Sequence, residues 1–129
     1  MTLIKHNKPT ESELEILQVL WNKESATVRT VHEVLLKTKD SGYTTTLKLM
    51  QIMFEKGLVT RDDSNKTHIY QPAVSREKTQ KQFLNRMIDT LFAGSSTNLV
   101  LQALGGHAAS EEVLEKIQLL INDLKKGSK

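Results

Sequence analysis

The sequence contains no cysteine, and this absence removes three classes of chemistry at once. Without thiols the chain forms neither disulfides nor thiolate metal sites, and it has no cysteine nucleophile. Its four histidines, His6, His32, His68 and His107, are scattered without the spacing of metal ligands. We therefore expect no metal site and no cofactor.

Long apolar runs are missing as well. No window approaches the roughly 18 consecutive apolar residues of a membrane-spanning helix, and the opening MTLIKHNKPTESE lacks the apolar run of a signal peptide. We therefore expect a cytoplasmic protein that does not insert into a membrane. The sequence also lacks a glycine-rich phosphate loop, an HExxH motif, a Gly-x-Ser-x-Gly elbow and a convincing carboxylate pair, which argues against an enzyme.

A strong excess of either charge is absent too. The 129 residues carry a net charge of +3, which fits an anionic partner only weakly. With 38% hydrophobic and 26% charged residues, the composition is that of a globular chain with a modest core. A nucleic-acid partner must therefore be inferred from the positions of the charges.

Residues 1–73 predict a mainly α domain with a small β-hairpin. Thr10 and Glu13 have the spacing of a capping box ahead of the first helix, and Thr27 is a candidate cap for the second. The third helix should run from Thr44 to Gly57, where glycine suits a left-handed helix terminus. LVTR, DDSNK and THIYQPAV then predict a strand, a turn and a strand. This order is typical of a winged helix-turn-helix.

The third helix has two distinct faces when its residues are placed at helical spacing. In a helix-turn-helix the outer face of the last helix enters the major groove, where threonine and lysine can bond bases or phosphates and isoleucine can contact a thymine methyl. The inner face, which should enter the core, consists of Leu47, Met50, Met53 and Phe54. The outer face, which we predict to contact DNA, consists of Thr44, Thr45, Lys48 and Ile52.

Charged residues on neighbouring elements extend this predicted DNA-binding surface. Arg61, Lys66 and His68 fall on the predicted wing and Arg29 on the second helix, where contacts to backbone phosphates are expected. At the wing tip, Asp62–Asp63 would instead repel phosphate.

A purely structural alternative stays open for the outer face of the third helix. Threonines at the start of a helix are often caps, so Thr44 and Thr45 need no ligand. Lys48 is then a solvated surface residue, and Ile52 is buried against the second domain.

Residues 74–129 predict a helical dimerisation domain. Their apolar stripes are too extensive for a lone tail of three helices. A two-fold dimer buries the stripes and holds two reading helices about one DNA turn (~34–36 Å) apart, or a multiple of it. The alternative is that the stripes pack on the N-terminal domain. We favour a homodimer through Phe83, Leu84, Met87, Ile88, Leu91, Phe92, Leu99, Val113, Ile117, Leu120 and Leu124.

Four segments together resemble the penicillinase repressor family of the BlaI/MecI type: PTESELEILQVLW, ATVRTVHEVL, GYTTTLKLMQIMFEKGLVTR and THIYQPAVSREK. The resemblance covers about residues 9–124. It implies a homodimeric transcriptional repressor whose winged helix binds a palindromic operator. By position, Thr44, Thr45 and Lys48 fall in the recognition helix and Arg61 on the first wing strand.

The chain departs from the pattern of that family in three respects. Ile52 stands where the family often has arginine, and Gln102–Ala103 stands where antibiotic-responsive members are cut at an Asn–Phe bond after a membrane sensor is triggered. The copper-responsive branch uses C-terminal cysteines, which are absent here. The resemblance therefore implies DNA binding more firmly than any signal, although a membrane sensor or protease is a candidate partner.

Two functional hypotheses follow. The first is a dimeric repressor of resistance or stress genes that binds double-stranded operator DNA. The second is a winged-helix adaptor that binds proteins without specific DNA binding, which the low charge of the N-terminal part favours.

Overall fold

The computed structural model describes residues 8–106 and 109–127. The expectations for His6 and His107 therefore lie outside the described residues. The helices and strands confirm a mainly α fold with one hairpin, and in chain order they are α1 (Glu11–Lys23), α2 (Val28–Leu35), α3 (Tyr43–Lys56), β1 (Val59–Asp62), β2 (Ile69–Pro72), α4 (Arg76–Thr90), α5 (Ser96–Gly106) and α6 (Glu111–Gly127).

Local capping interactions set the ends of the first three helices. The Glu13 N–H donates to Thr10 Oγ1 at 3.2 Å and the Thr10 N–H donates to Glu13 Oε1 at 2.9 Å, which is the predicted capping box. Thr27 Oγ1 accepts from the Thr30 N–H at 3.1 Å and caps α2. Gly57 ends α3 with φ of 83°, a left-handed conformation that glycine adopts without steric cost.

The apolar faces of α1, α2 and α3 pack with the hairpin into one core. Burial of these side chains removes apolar surface from water and supplies most of the driving force for folding. The buried apolar residues are Ile16, Leu17, Val19, Leu20, Ala26, Val28, Val31, Leu35, Met50, Met53, Leu58, Val59 and Tyr70. The prediction that Phe54 enters this core is wrong, since its side chain is 38% exposed.

The wing is a two-stranded antiparallel sheet in which Arg61 pairs with Tyr70. Ala26, in the link between α1 and α2, adds an isolated bridge to the same Tyr70. The two residues exchange backbone hydrogen bonds of 3.0 and 2.8 Å. This bridge holds the wing against the start of α2. The bridge was not predictable from the sequence, because a single paired residue produces no periodic pattern.

Glu13 has a second role beyond its cap. Its residue is 2% exposed, and Oε1 lies 2.6 Å from Lys56 Nζ at the end of α3. The capping box does not predict this contact, and it is needed here because a buried charge is retained only with a partner. The Glu13–Lys56 pair ties the beginning of α1 to the end of α3.

The chain divides into two compact units, Met1–Gln80 and Lys81–Lys129. The division falls inside α4, whereas the predicted boundary precedes this helix. The start of α4 and the segment just before it contact α1: Trp21 Nε1 donates to the Val74 carbonyl at 3.0 Å, and Arg76 Nη2 donates to Asn22 Oδ1 at 2.7 Å. These contacts place the first turn of α4 with the winged helix.

The second unit consists of capped helices without buried residues in α5 or α6. Ser95 Oγ accepts from the Asn98 N–H and Ser110 Oγ from the Val113 N–H, at 3.1 and 3.2 Å. Many of the large apolar side chains in this unit are exposed instead: Leu84, Met87, Leu91, Val100, Leu101, Leu104, Val113, Leu114, Leu119, Leu120, Ile121 and Leu124.

Candidate nucleic-acid interface

The outer face of α3 presents a polar surface to solvent. Thr44, Thr45 and Lys48 are exposed, and Ile52 is half-buried. Gln51, which the sequence pattern did not single out, is exposed beside them. Because residues three and four apart share one side of a helix, these side chains form a continuous strip.

Thr46 shows why only part of the threonine run is available to a partner. It is 1% exposed, and its Oγ1 lies 3.2 Å from His32 Nδ1 on α2. This hydrogen bond satisfies a buried hydroxyl and fixes the rotation of α3 against α2. The outward direction of Thr44 and Thr45 follows from that rotation.

Tyr43, at the first position of α3, is a surface residue that the sequence-based prediction missed. The residue is 39% exposed, and its ring lies edge-on to that of His32, with ring centroids 5.6 Å apart. The Arg29 guanidinium carbon lies 5.3 Å from the centroid of the same ring. Such a cation–π contact holds Arg29, which is otherwise exposed on α2, beside the start of α3.

A cleft of about 480 Å³ opens between the hairpin and the outer side of α2 and α3. We call it the wing cleft. It brings together three of the predicted phosphate-binding residues, Arg29, Lys66 and His68, which are far apart in sequence. Among the described residues no carboxylate lines it; the lining consists of Thr27, Val28, Arg29, Tyr43, Leu47, Gln51, Lys66, Thr67, His68 and Tyr70.

Arg61 does not line the wing cleft. Its guanidinium carbon lies 4.2 Å from the centroid of the Phe54 ring, and Nη2 lies 3.6 Å from Asp63 Oδ2. The planar guanidinium stacks on the Phe54 ring and covers part of it, which explains how an aromatic residue is tolerated at this partly exposed position. Arg61 therefore joins the first wing strand to the last turns of α3.

The two acidic residues of the wing tip are engaged within the hairpin. Asp62 Oδ1 accepts from the Ser64 N–H at 3.0 Å and from the Ser64 hydroxyl at 2.7 Å. These hydrogen bonds, the backbone one first, hold the pKa of Asp62 below its ordinary value because they favour the charged form. Asp63 faces Arg61, so its charge is partly compensated.

In residues 8–106 and 109–127, no helix is long and apolar enough to cross a membrane. Over the same ranges, no group of three or more histidine, aspartate or glutamate side chains is arranged to hold a metal ion.

Comparison with known proteins gives the family of this chain. The family model described as penicillinase repressor matches residues 9–123. This chain belongs to the penicillinase repressor family. Members of this family are DNA-binding transcriptional repressors, and this repressor is accordingly not an enzyme.

Individual relatives of this penicillinase repressor family member cover different parts of it. The methicillin resistance regulatory protein MecI of Staphylococcus aureus (strain N315) is 25% identical over 117 residues, which cover 88% of this chain and 92% of MecI. The transcriptional regulator BlaI of Mycobacterium tuberculosis (strain CDC 1551 / Oshkosh) is 34% identical over 67 residues, 51% of this chain and 49% of that protein.

A solved structure supports the fold of the DNA-binding part. The solution structure of the DNA-binding domain of the repressor BlaI superposes with a TM-score of 0.51 at 22% sequence identity. It covers 57% of this chain and 90% of that domain. The N-terminal region of this repressor is therefore a winged helix.

Proposed function

We propose that this repressor binds a palindromic operator in double-stranded DNA as a homodimer, with α3 in the major groove and the hairpin along the backbone. The observation that carries this proposal is the exposed strip of Thr44, Thr45 and Lys48 beside a cationic cleft. A helix of this kind reads base edges with residues near its N-terminus, where the two threonines lie.

Each exposed residue has a role that fits its chemistry. Lys48 donates to a phosphate or to guanine, and Thr44 and Thr45 bond bases or phosphates. Ile52, half-buried, offers an apolar surface to a thymine methyl. In the wing cleft, contacts to phosphate position the protein without reading sequence, and they come from Arg29, Lys66 and His68.

Arg61 acts differently from the other cations in this proposal. Its guanidinium is stacked on Phe54 and faces Asp63, so its side chain is 22% exposed. We assign it to setting the position of the wing against α3, with the uncovered part of the guanidinium facing the DNA backbone.

The homodimer is supported by the exposed apolar side chains of the second unit. Leu91, Leu120 and Leu124 are 71%, 57% and 64% exposed, which is unusual for residues of this type on one stretch of helices. A second copy of the same unit covers them symmetrically and brings two winged helices to one operator. The half-buried Phe83, Ile88, Phe92, Leu99 and Ile117 belong to the same proposed interface.

The regulated genes are inferred from a relative. MecI is named as a regulator of methicillin resistance. By extension, we propose that this repressor controls resistance or stress genes and that it acts in the cytoplasm. A membrane sensor or protease is a candidate partner at Gln102–Ala103, since both residues are exposed on α5.

A gel-shift series with DNA fragments from upstream of the gene that encodes this repressor tests the proposal. The repressor should prefer one upstream fragment over random DNA at moderate salt. Lys48→Ala should weaken specific binding by about 1–3 kcal/mol if the lysine bonds guanine, or lower the salt slope by about one if it bonds phosphate. Thr45→Ala should change the preferred fragment or its affinity.

The control variant is Lys37→Ala, which removes the same charge from an exposed site after α2 that is not part of the cleft. It should bind as the wild type does. If no upstream fragment is preferred over random DNA, the operator-binding role is overturned, and capture of a protein partner without salt-dependent DNA affinity would identify an adaptor instead.

A further inference from the structure

The segment that begins α4 is attached to α1 by three side-chain contacts. Trp21 Nε1 donates to the Val74 carbonyl at 3.0 Å, and Arg76 Nη2 donates to Asn22 Oδ1 at 2.7 Å. The Arg76 guanidinium carbon also lies 5.7 Å from the centroid of the Trp21 ring, which is a cation–π contact. We call these four residues the α4 anchor. All four belong to the unit Met1–Gln80.

Backbone hydrogen bonds hold the same segment on both sides of the anchor. Just before it, the Ala73 N–H donates to the Leu58 carbonyl at 2.9 Å. Just after it, Ser75 Oγ accepts from the Lys78 N–H at 3.0 Å and caps the helix. Thr79 is 4% exposed, so this part of α4 is not a free arm. The first turn of α4 therefore has one orientation against α1.

The helix that starts at the anchor is long enough to magnify any change at its beginning. α4 runs without interruption through Arg76–Thr90, and its 15 residues give a length of about 22 Å at about 1.5 Å per residue. A change of about 10° in the direction of such a helix moves its far end by about 4 Å, which exceeds the spacing of about 3.4 Å between nucleotides along a DNA strand. A small loosening of the first turn is therefore large on the scale of an operator.

We propose that Trp21, Asn22 and Arg76 are positioning residues that determine which half-site spacing the repressor accepts. The inference rests on the proposed homodimer and palindromic operator, because it concerns the link between each winged helix and the unit that pairs. A link with one orientation holds the two reading helices at a single separation and favours one spacing. A loosened link lets each winged helix swivel, so that the second half-site is engaged over a range of spacings. None of the three residues needs to contact DNA for this effect.

The experiment uses the full chain and the upstream fragment that the repressor prefers. Three forms of the fragment are compared: the native one, one with two base pairs inserted between the half-sites, and one with a single half-site. The insertion rotates one half-site by about 70° relative to the other, because a DNA turn is about 10–10.5 base pairs. We call the affinity for the native form divided by that for the inserted form the spacing ratio. Gel shifts should give the wild type a ratio of at least about ten.

Three variants loosen the anchor by different chemistry. Arg76→Gln removes the cation, Asn22→Ala removes the acceptor, and Trp21→Phe keeps an aromatic ring but lacks the indole N–H donor. Each should lower the spacing ratio at least about threefold, while its affinity for the single half-site stays within about twofold of the wild type. Arg76→Lys retains the charge and should keep part of the ratio that Arg76→Gln loses.

The matched charge control is Lys78→Gln. Lys78 is exposed on the same turn of α4 and is not part of the anchor, so this variant should keep the wild-type spacing ratio. Amide NMR spectra that match the wild type across α2, α3 and the hairpin show that a variant is folded. Asn22→Ala changes an exposed residue, so its fold does not depend on the substitution of a half-buried ring.

The outcomes separate a positioning role from a purely stabilising one. A lower spacing ratio with an unchanged half-site affinity supports positioning. If the variants keep the wild-type ratio, or weaken all three DNA forms equally, the anchor only stabilises the fold and the inference is overturned. A wild type that prefers the upstream fragment but tolerates the insertion also overturns it, while operator binding stands. If no fragment is preferred over random DNA, operator binding fails and this inference fails with it.

Discussion

The two units of this repressor use similar apolar helices to different ends. In Met1–Gln80, α1 to α3 and the hairpin bury residues such as Leu17, Val31 and Met50 completely. In Lys81–Lys129, α5 and α6 bury none, although α6 carries apolar residues at helical spacing. The difference teaches that the first unit closes its own core, whereas α5 and α6 of the second leave their apolar side chains exposed, which is the basis of the proposed homodimer.

The largest effect is expected from the core of the first unit. Leu17→Ala should lower the free energy of unfolding by about 2–5 kcal/mol, because the fully buried side chain leaves a cavity. Thermal or urea denaturation of the full chain measures the loss. Leu36→Ala, at a position 49% exposed after α2, is the matched control and should cost much less. Similar losses in both variants would contradict the assignment of the core to Leu17.

An intermediate effect is expected from the exposed face of α6. Leu120→Glu places a carboxylate in the proposed dimer interface, where its desolvation opposes association. We expect the dimer dissociation constant to rise at least about tenfold, equivalent to about 1.4 kcal/mol. Sedimentation over a concentration series measures it. Gln118→Glu adds the same charge at an exposed polar position and should leave association unchanged. A wild-type chain that stays monomeric at micromolar concentration would refute the dimer.

The smallest effect is expected at the wing turn, in the pH dependence of stability. Since the pKa of Asp62 is lowered on folding, its contribution is present above the unfolded pKa of about 3.9 and is lost as pH falls through the lower folded value. The stability difference between the wild type and Asp62→Asn should therefore shrink below about pH 3.9. Urea denaturation at several pH values measures it. A constant difference across that window would show that the charge of Asp62 makes no contribution.

Local chemistry made part of this fold predictable. The Thr10–Glu13 capping box, the Thr27 cap and the left-handed Gly57 were all expected from residue type and spacing, and all are present. They depend on contacts within a few residues, so the sequence contains both partners. The winged-helix fold and the membership in the penicillinase repressor family were expected from motifs that extend over most of the chain, and the comparisons confirm both.

Contacts between distant segments were not predictable in the same way. The periodicity of α3 placed Phe54 with the core, but the residue that covers it, Arg61, belongs to the wing. Glu13 looked like a cap alone, and its partner Lys56 lies at the end of another helix. In both cases the local pattern gives the direction of a side chain approximately and says nothing about what lies opposite it.

The sequence by itself determined the helices, their caps, the hairpin and the family of this repressor, because each of these depends on short-range spacing or on motifs read in order. Helical spacing also placed Thr44 and Thr45 on the outer face of α3, whereas only the tertiary structure showed that Thr46 lies against His32. It also decided that Arg29, Lys66 and His68 share one cleft while Arg61 stacks elsewhere. These outcomes depend on how α2, α3 and the wing pack. Packing brings together residues that are far apart in the sequence, and their spacing along the chain does not predict the distance between them in the fold.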